Sequence, residues 1–140
     1  MDTSRTPDLS LRETFLRAAA GLPGEDERAA VVGEALGYLQ RGFDAHYAGG
    51  GASDDDVLVG DNAYALAVET IARLDEPRFV AVASRMIRDG AGRIAEGGTV
   101  TVEMWTPHLS GLLDIISEEG AEKSEARIRE AARSLRDQGG

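Results

Sequence analysis

Residues 54–96 read DDDVLVGDNAYALAVETIARLDEPRFVAVASRMIRDGAGRIAE, and this stretch decides the fold class. Val57, Tyr64, Val68 and Ile71 recur at the spacing of one face of an α-helix. Phe79, Val82 or Ala83, Met86 or Ile87, and Ile94 repeat the pattern after an interruption. That interruption, Asp75-Glu76-Pro77, is a tight junction with proline preset for a first helical turn. Ser53 is a natural N-cap, and Asp54, Asp55 and Asp56 fall where free amides and the helix dipole favour carboxylates. Gly97-Gly98 stops the second helix. So short a link predicts two antiparallel neighbours.

Towards the N-terminus, Ser10-Leu11-Arg12-Glu13 fits a capping box, followed by an apolar stripe of Leu11, Phe15 and Ala18 or Ala19 that ends at Gly21. Leu22-Pro23-Gly24 reads as a turn, and Glu25-Asp26-Glu27 as the acidic start of a helix. Val32, Leu36, Leu39, Phe43 and Tyr47 form its stripe, about five turns long. Gly33, Gly37 and Gly42 lie inside it, each costing roughly 1 kcal/mol relative to alanine, so they either permit close helix contact or loosen the segment. Gly49-Gly50-Gly51 is a flexible break.

Towards the C-terminus, Thr99 to Val102 alternates threonine and valine, but no second segment reads as a strand to pair with it. A loop or helix start follows, with Thr101 or Thr106 as N-cap and Pro107 in an early turn. Leu109, Leu112, Leu113, Ile115 and Ile116 make this helix the most apolar, ending at Gly120. The last helix, from about Glu122 to Gln138, carries the narrow stripe Ile128, Ala131, Ala132 and Leu135. The expectation is all-α: a bundle of five or six mostly antiparallel helices in one domain over residues 1–140, with a flexible leader at 1–8 and tail at 137–140.

With 140 residues and 42% hydrophobic content, the chain has enough apolar surface for one core. The absence of cysteine removes disulfides, thiolate zinc sites and cysteine nucleophiles. A net charge of -10 would repel a phosphate backbone and argues against nucleic acid. Of the 15 basic residues only Lys123 is not arginine, which suggests a halophilic or GC-rich prokaryote. Met1 to Pro7 contains no apolar signal core, and no apolar run approaches the roughly 20 residues needed to span a bilayer. A cytoplasmic protein is expected.

Asp61 interrupts the apolar series Val57, Tyr64, Val68 and Ile71. It reads either as a cavity-lining ligand for a metal or polar substrate, or as a carboxylate paired with an arginine or a neighbouring helix end. The aspartate run offers hard oxygen ligands for a divalent cation, but consecutive helical residues point in different directions, which favours capping and solvation. His46 and His108 lack ligand spacing and read as boundary residues. No serine lies in a nucleophile elbow, and no glycine loop carries a phosphate-binding lysine. Trp105 reads as core or as an exposed anchor, with core preferred.

Val57-Leu58-Val59-Gly60-Asp61, Ala63 to Ala67 and Ile71-Ala72-Arg73-Leu74 together resemble the segment after the first aspartate-rich motif of trans-polyprenyl diphosphate synthases, where a hydrophobic run ends in Gly-Asp. Phe79 to Glu96 is similar to the next helix of that family, and Glu103 to Ala121 to the one after. The departures matter: Asp54-Asp55-Asp56 is not a DDxxD followed by paired arginines, His108-Leu109 stands near the family's lysine-threonine pair, and the second aspartate motif would lie beyond Gln138. The chain is about half the family's usual length.

What this resemblance implies is a non-catalytic, partner-binding homologue, possessing the family's dimer-forming helices without its phosphate clamps and needing no cofactor. It would dimerise through the third and fourth helices, with Tyr64, Val68, Ile71, Phe79 and Met86 at the interface, either with itself or with a prenyl synthase as a regulatory subunit. The competing expectation is a small Mg2+-dependent enzyme acting on a prenyl or other diphosphate, with Asp54, Asp55 and Asp61 as metal ligands. A generic helical adaptor is the third.

Overall fold

The computed structural model describes residues 9–22, 27–47, 54–98 and 101–139. Six α-helices run through them: α1 (Leu11–Ala19), α2 (Glu27–Tyr47), α3 (Asp54–Ala72), α4 (Pro77–Ala95), α5 (Val102–Ser117) and α6 (Ala121–Gly139). Among the described residues there is no strand. The leader at 1–8, the Pro23-Gly24 turn with Glu25 and Asp26, the break at Gly49-Gly50-Gly51, the Ser53 cap and the Thr99-Val100 pair lie outside them.

Local chemistry sets the helix ends. The Glu13 amide donates to Ser10 Oγ at 3.0 Å, while the Leu11 amide is capped from α2 by Gln40 Oε1 at 2.8 Å. Glu76 caps α4 by accepting from the Arg78 amide, with Pro77 in the opening position. Thr101, rather than Thr106, caps α5. Pro107 lies inside that helix, which ends at Glu118 in the left-handed region with φ 57°. Helix α6 continues through residues 137–139.

α2 is the central element, packing on α1, α3, α4 and α5, while α1 also meets α5 and α6 to close the ring of helices. The α2–α3 pair is the most extensive and surpasses the expected α3–α4 pair. Its cause is a glycine crossing: a Cβ added to Gly42 would stand 3.1 Å from the Gly60 carbonyl oxygen, and one added to Gly60 3.1 Å from that of Gly42. Absent side chains therefore let the two backbones approach. Close contact is the role of Gly42, while Gly33 packs against Leu16 of α1.

This crossing rotates α3 from its predicted orientation. Its buried face is Gly60, Ala63, Tyr64, Ala67, Thr70 and Ile71, so small residues rather than the apolar series alone determine which side meets α2. Val57 and Asp61 are turned towards solvent and Val68 is half-buried. At the centre, Phe43 of α2 stacks on Trp105 of α5 with ring centroids 4.9 Å apart and 10° between planes. Trp105 is fully buried, as the core reading requires.

Candidate functional site

The α2–α3 crossing builds a polar brace at the edge of the core. His46, near the C-terminal end of α2, lies against Gly60, and its ring meets Tyr64 edge-on with centroids 4.9 Å apart. Its Nε2 faces two acceptors, the Val57 carbonyl oxygen and Asp61 Oδ1, each at 3.3 Å. The proton is therefore assigned to Nε2, and Nδ1 accepts from the Tyr64 hydroxyl at 3.1 Å. Burial, and secondarily the Asp61 carboxylate, push the Tyr64 phenol up, so it remains a protonated donor. Both imidazole nitrogens are engaged within the protein, so the cluster braces the first turns of α3 and leaves His46 no nitrogen to offer a substrate.

Outside this brace is the least expected feature of the molecule. Val57, Leu58 and Val59 are 40%, 66% and 52% exposed, and they are the exposed large hydrophobic residues of the described chain. Consecutive helical residues are about 100° apart, so a run of three cannot all face one neighbour. At this level α3 meets α2 through Gly60, which lies against His46, and the valines and leucine face outward. Asp54 and Asp55 are exposed one turn earlier, and the Asp61 side chain is 62% exposed one turn later. The result is an apolar turn framed by carboxylates.

The predicted metal ligands do not converge. Asp54 and Asp55 are exposed, Asp61 is largely exposed with Oδ1 beside His46, and among the described residues no group of three or more His, Cys, Asp or Glu is arranged to hold a metal ion. Asp61 is paired, as one of its two readings required, though with a histidine rather than an arginine. His108 sits 17% exposed at the α4–α5 boundary with Nε2 3.0 Å from Asp89 Oδ2, and its ring lies 5.9 Å from that of Trp105. Both histidines are boundary residues held by an aspartate of the adjoining helix.

The predicted partner surface needs correction. Tyr64, Ile71, Phe79 and Met86 belong to the chain's own core, Phe79 and Met86 completely, and Val68 is half-buried. Within the chain these faces pack against neighbouring helices, α3 on α2 and α4 and α4 on α2, α3 and α5. On the opposite flank, α1 and α6 enclose an open groove of about 620 Å³ lined by Leu16, Ala20, Leu135, Glu13, Arg17 and Gln138. A hollow of about 380 Å³ adjoins it, shared through Arg17 and continued by Ala18, Ala126 and Arg127.

No family model, curated protein or solved structure matches the chain. None of these comparisons links the chain to the polyprenyl diphosphate synthases. Among the described residues no helix is long and apolar enough to cross a membrane. Sequence reasoning missed Leu58 and Val59 as surface residues and His46 as a brace. Three adjacent large apolar residues were the available signal for the first; nothing local signalled the second.

Proposed function

We propose that the chain is a non-catalytic, partner-binding helical protein whose docking element is the opening of α3. The observation that carries this reading is the exposure of Val57, Leu58 and Val59 on a helix whose remaining large apolar residues are buried or half-buried. Scattered single apolar residues on a surface are ordinary, whereas a contiguous cluster rimmed by charge marks an interaction surface. The His46 brace supports it further by fixing this turn to α2 at the Val57 carbonyl, so that the docking element is preorganised.

The partner is a protein surface with an apolar pocket or stripe bordered by arginine or lysine. Covering three half-exposed aliphatic side chains contributes on the order of 3 kcal/mol before association costs, and a micromolar complex needs about 8 kcal/mol. Ion pairs to Asp54, Asp55 and Asp61 and further apolar contact must supply the rest. A polyprenyl synthase subunit is the partner that the sequence resemblance suggests.

The test uses an amphipathic helical peptide with a leucine stripe flanked by lysines, labelled for fluorescence anisotropy. Binding should weaken with added salt, and Leu58→Asp should weaken it about tenfold. The direction decides: Leu58→Asp adds negative charge, so attraction by net charge alone would tighten peptide binding. Equal or tighter binding by Leu58→Asp overturns the proposal. A full-length polyprenyl synthase chain, titrated likewise, tests the named partner.

A further inference from the structure

We infer that the partner of the α3 turn is a second copy of this chain, which receives Leu58 in the groove between α1 and α6, head to tail. This rests on the reading of the α3 turn as a docking element and adds what it docks into.

Apolar character matches first. Leu16, Ala20 and Leu135 offer aliphatic walls in a groove of about 620 Å³, and the small side chains Ala18, Ala126 and Ala131 extend them into the adjoining hollow. Volumes of roughly 300–1,000 Å³ are those of ordinary ligand pockets, enough for one exposed leucine and a neighbouring valine. The knob and the groove are each incomplete as monomer surfaces: one is a convex apolar turn, the other a concave apolar channel.

Charge matches second. Arg17, shared by the groove and the hollow, donates to two neutral acceptors, Ser134 Oγ at 2.9 Å and Gln138 Oε1 at 3.1 Å. By contrast, Arg127 is held by Glu119 through two hydrogen bonds, and Arg133 by Glu130. Arg17 thus brings a guanidinium bound only to neutral groups to a channel of the size the turn needs. Glu13 lines the groove and Glu130 the hollow; with Glu130 held by Arg133 and Arg127 by Glu119, Arg17 is the lining cation left to receive the carboxylates framing the knob. Those are Asp54 and Asp55 before Leu58 and Asp61 after it.

Geometry excludes the two simpler arrangements. α3 packs on α2 and α4, whereas the groove belongs to α1 and α6, so the turn does not fold onto its own groove. A symmetric contact of two α3 turns would bring Asp54, Asp55 and Asp61 of both copies together, and such like charges repel. The remaining contact joins unlike surfaces, and a heterologous contact grows into rings or open chains rather than stopping at a dimer.

Two surface variants test this in the whole chain: Leu58→Asp disables the knob, and Ala20→Glu blocks the groove from an exposed position. Sedimentation velocity at low salt should show the unmodified chain forming species beyond the dimer with rising concentration, and each variant alone as monomer. An equimolar mixture should recover association and stop at a heterodimer, because one intact knob and one intact groove remain. Recovery in the mixture itself shows that both variants are folded; Arg17→Gln, with a smaller loss of association, checks the charge contribution. A monomeric unmodified chain, or variants that associate as it does, overturns the inference, as does a mixture that stays monomeric while both variants keep the parent's unfolding midpoint. If the chain is monomeric yet the lysine-flanked peptide binding is lost in Leu58→Asp, docking at α3 stands and only the second copy is wrong.

Discussion

α3 and α4 are adjacent helices of 19 residues each, yet they dispose of their apolar side chains differently. α4 keeps Phe79, Val82, Ala83 and Met86 inside and turns Arg78, Arg85, Arg88 and Arg93 outward, so its sequence is used up by one core face and one solvent face. α3 is apolar around much of its circumference. Its inner face is made of small residues with Tyr64 and Ile71, while Val57, Leu58 and Val59 remain outside. A helix that completes the core needs only one stripe. Apolar residues beyond that stripe are surplus to the core, and it is on this surplus, at a braced, acid-rimmed turn, that the proposed docking role rests.

The largest effect separating the two helices comes from equivalent truncations. Met86→Ala should lower unfolding free energy by about 2–5 kcal/mol, whereas Leu58→Ala should change it by less than about 0.5 kcal/mol; urea denaturation measures both. A comparable loss at Leu58 would merge the two regions and remove the distinction. Next come two glycines of α4. A Cβ at Gly90 would collide with Phe43 and stand 2.8 Å from Trp105 Cη2, while one at Gly92 meets nothing within 4 Å. Gly90→Ala should therefore cost ~1–3 kcal/mol through overpacking, and Gly92→Ala should stabilise by about 0.5–1 kcal/mol through helix propensity.

A third prediction concerns the buried half of α3. Burial raises the Tyr64 phenol above its ordinary 10.0, so the unfolded chain loses this proton first as pH rises. The stability linked to Tyr64 is complete below about pH 10 and declines above it, by up to about 1.4 kcal/mol per pH unit. Alkaline denaturation of Tyr64→Phe should be less steep than that of the parent. The smallest effect belongs to exposed ion pairs. Hydrogen bonds from Arg127 hold the Glu119 carboxyl below the usual range, and those from Arg78 do the same for Glu76. Their contribution is present above the ordinary carboxylate range and disappears as pH falls through the lowered values; Glu119→Gln should reduce the midpoint slightly at neutral pH and not in acid.

Much of this fold was legible because helix ends are local chemistry. Ser10, Pro77 and Thr101 mark starts with their own atoms or ring, and the α4 stripe follows directly from the spacing of Phe79, Val82 and Met86. The face of α3 was less legible, since glycine and alanine carry little hydropathy and yet Gly60, Ala63 and Ala67 decide how close α2 comes. His46, Asp61 and Tyr64 meet only because of that crossing, which no spacing within either helix encodes. The α1–α6 groove was illegible for a similar reason: it exists where the first and last helices meet, and Arg17 finds Ser134 and Gln138 only in the folded chain. Leu58 is different. A run of three large apolar residues on a helix is a surplus that sequence alone displays, although it does not say which of them will be outside.

The claim that the opening of α3 serves contact rather than folding is tested most directly by measuring stability and association in the same Leu58→Asp preparation. Urea denaturation should match the parent within about 0.5 kcal/mol, while sedimentation and binding of the lysine-flanked peptide should both show association lost. A fall in stability beyond about 1 kcal/mol, or association that persists with charge at position 58, would contradict the account.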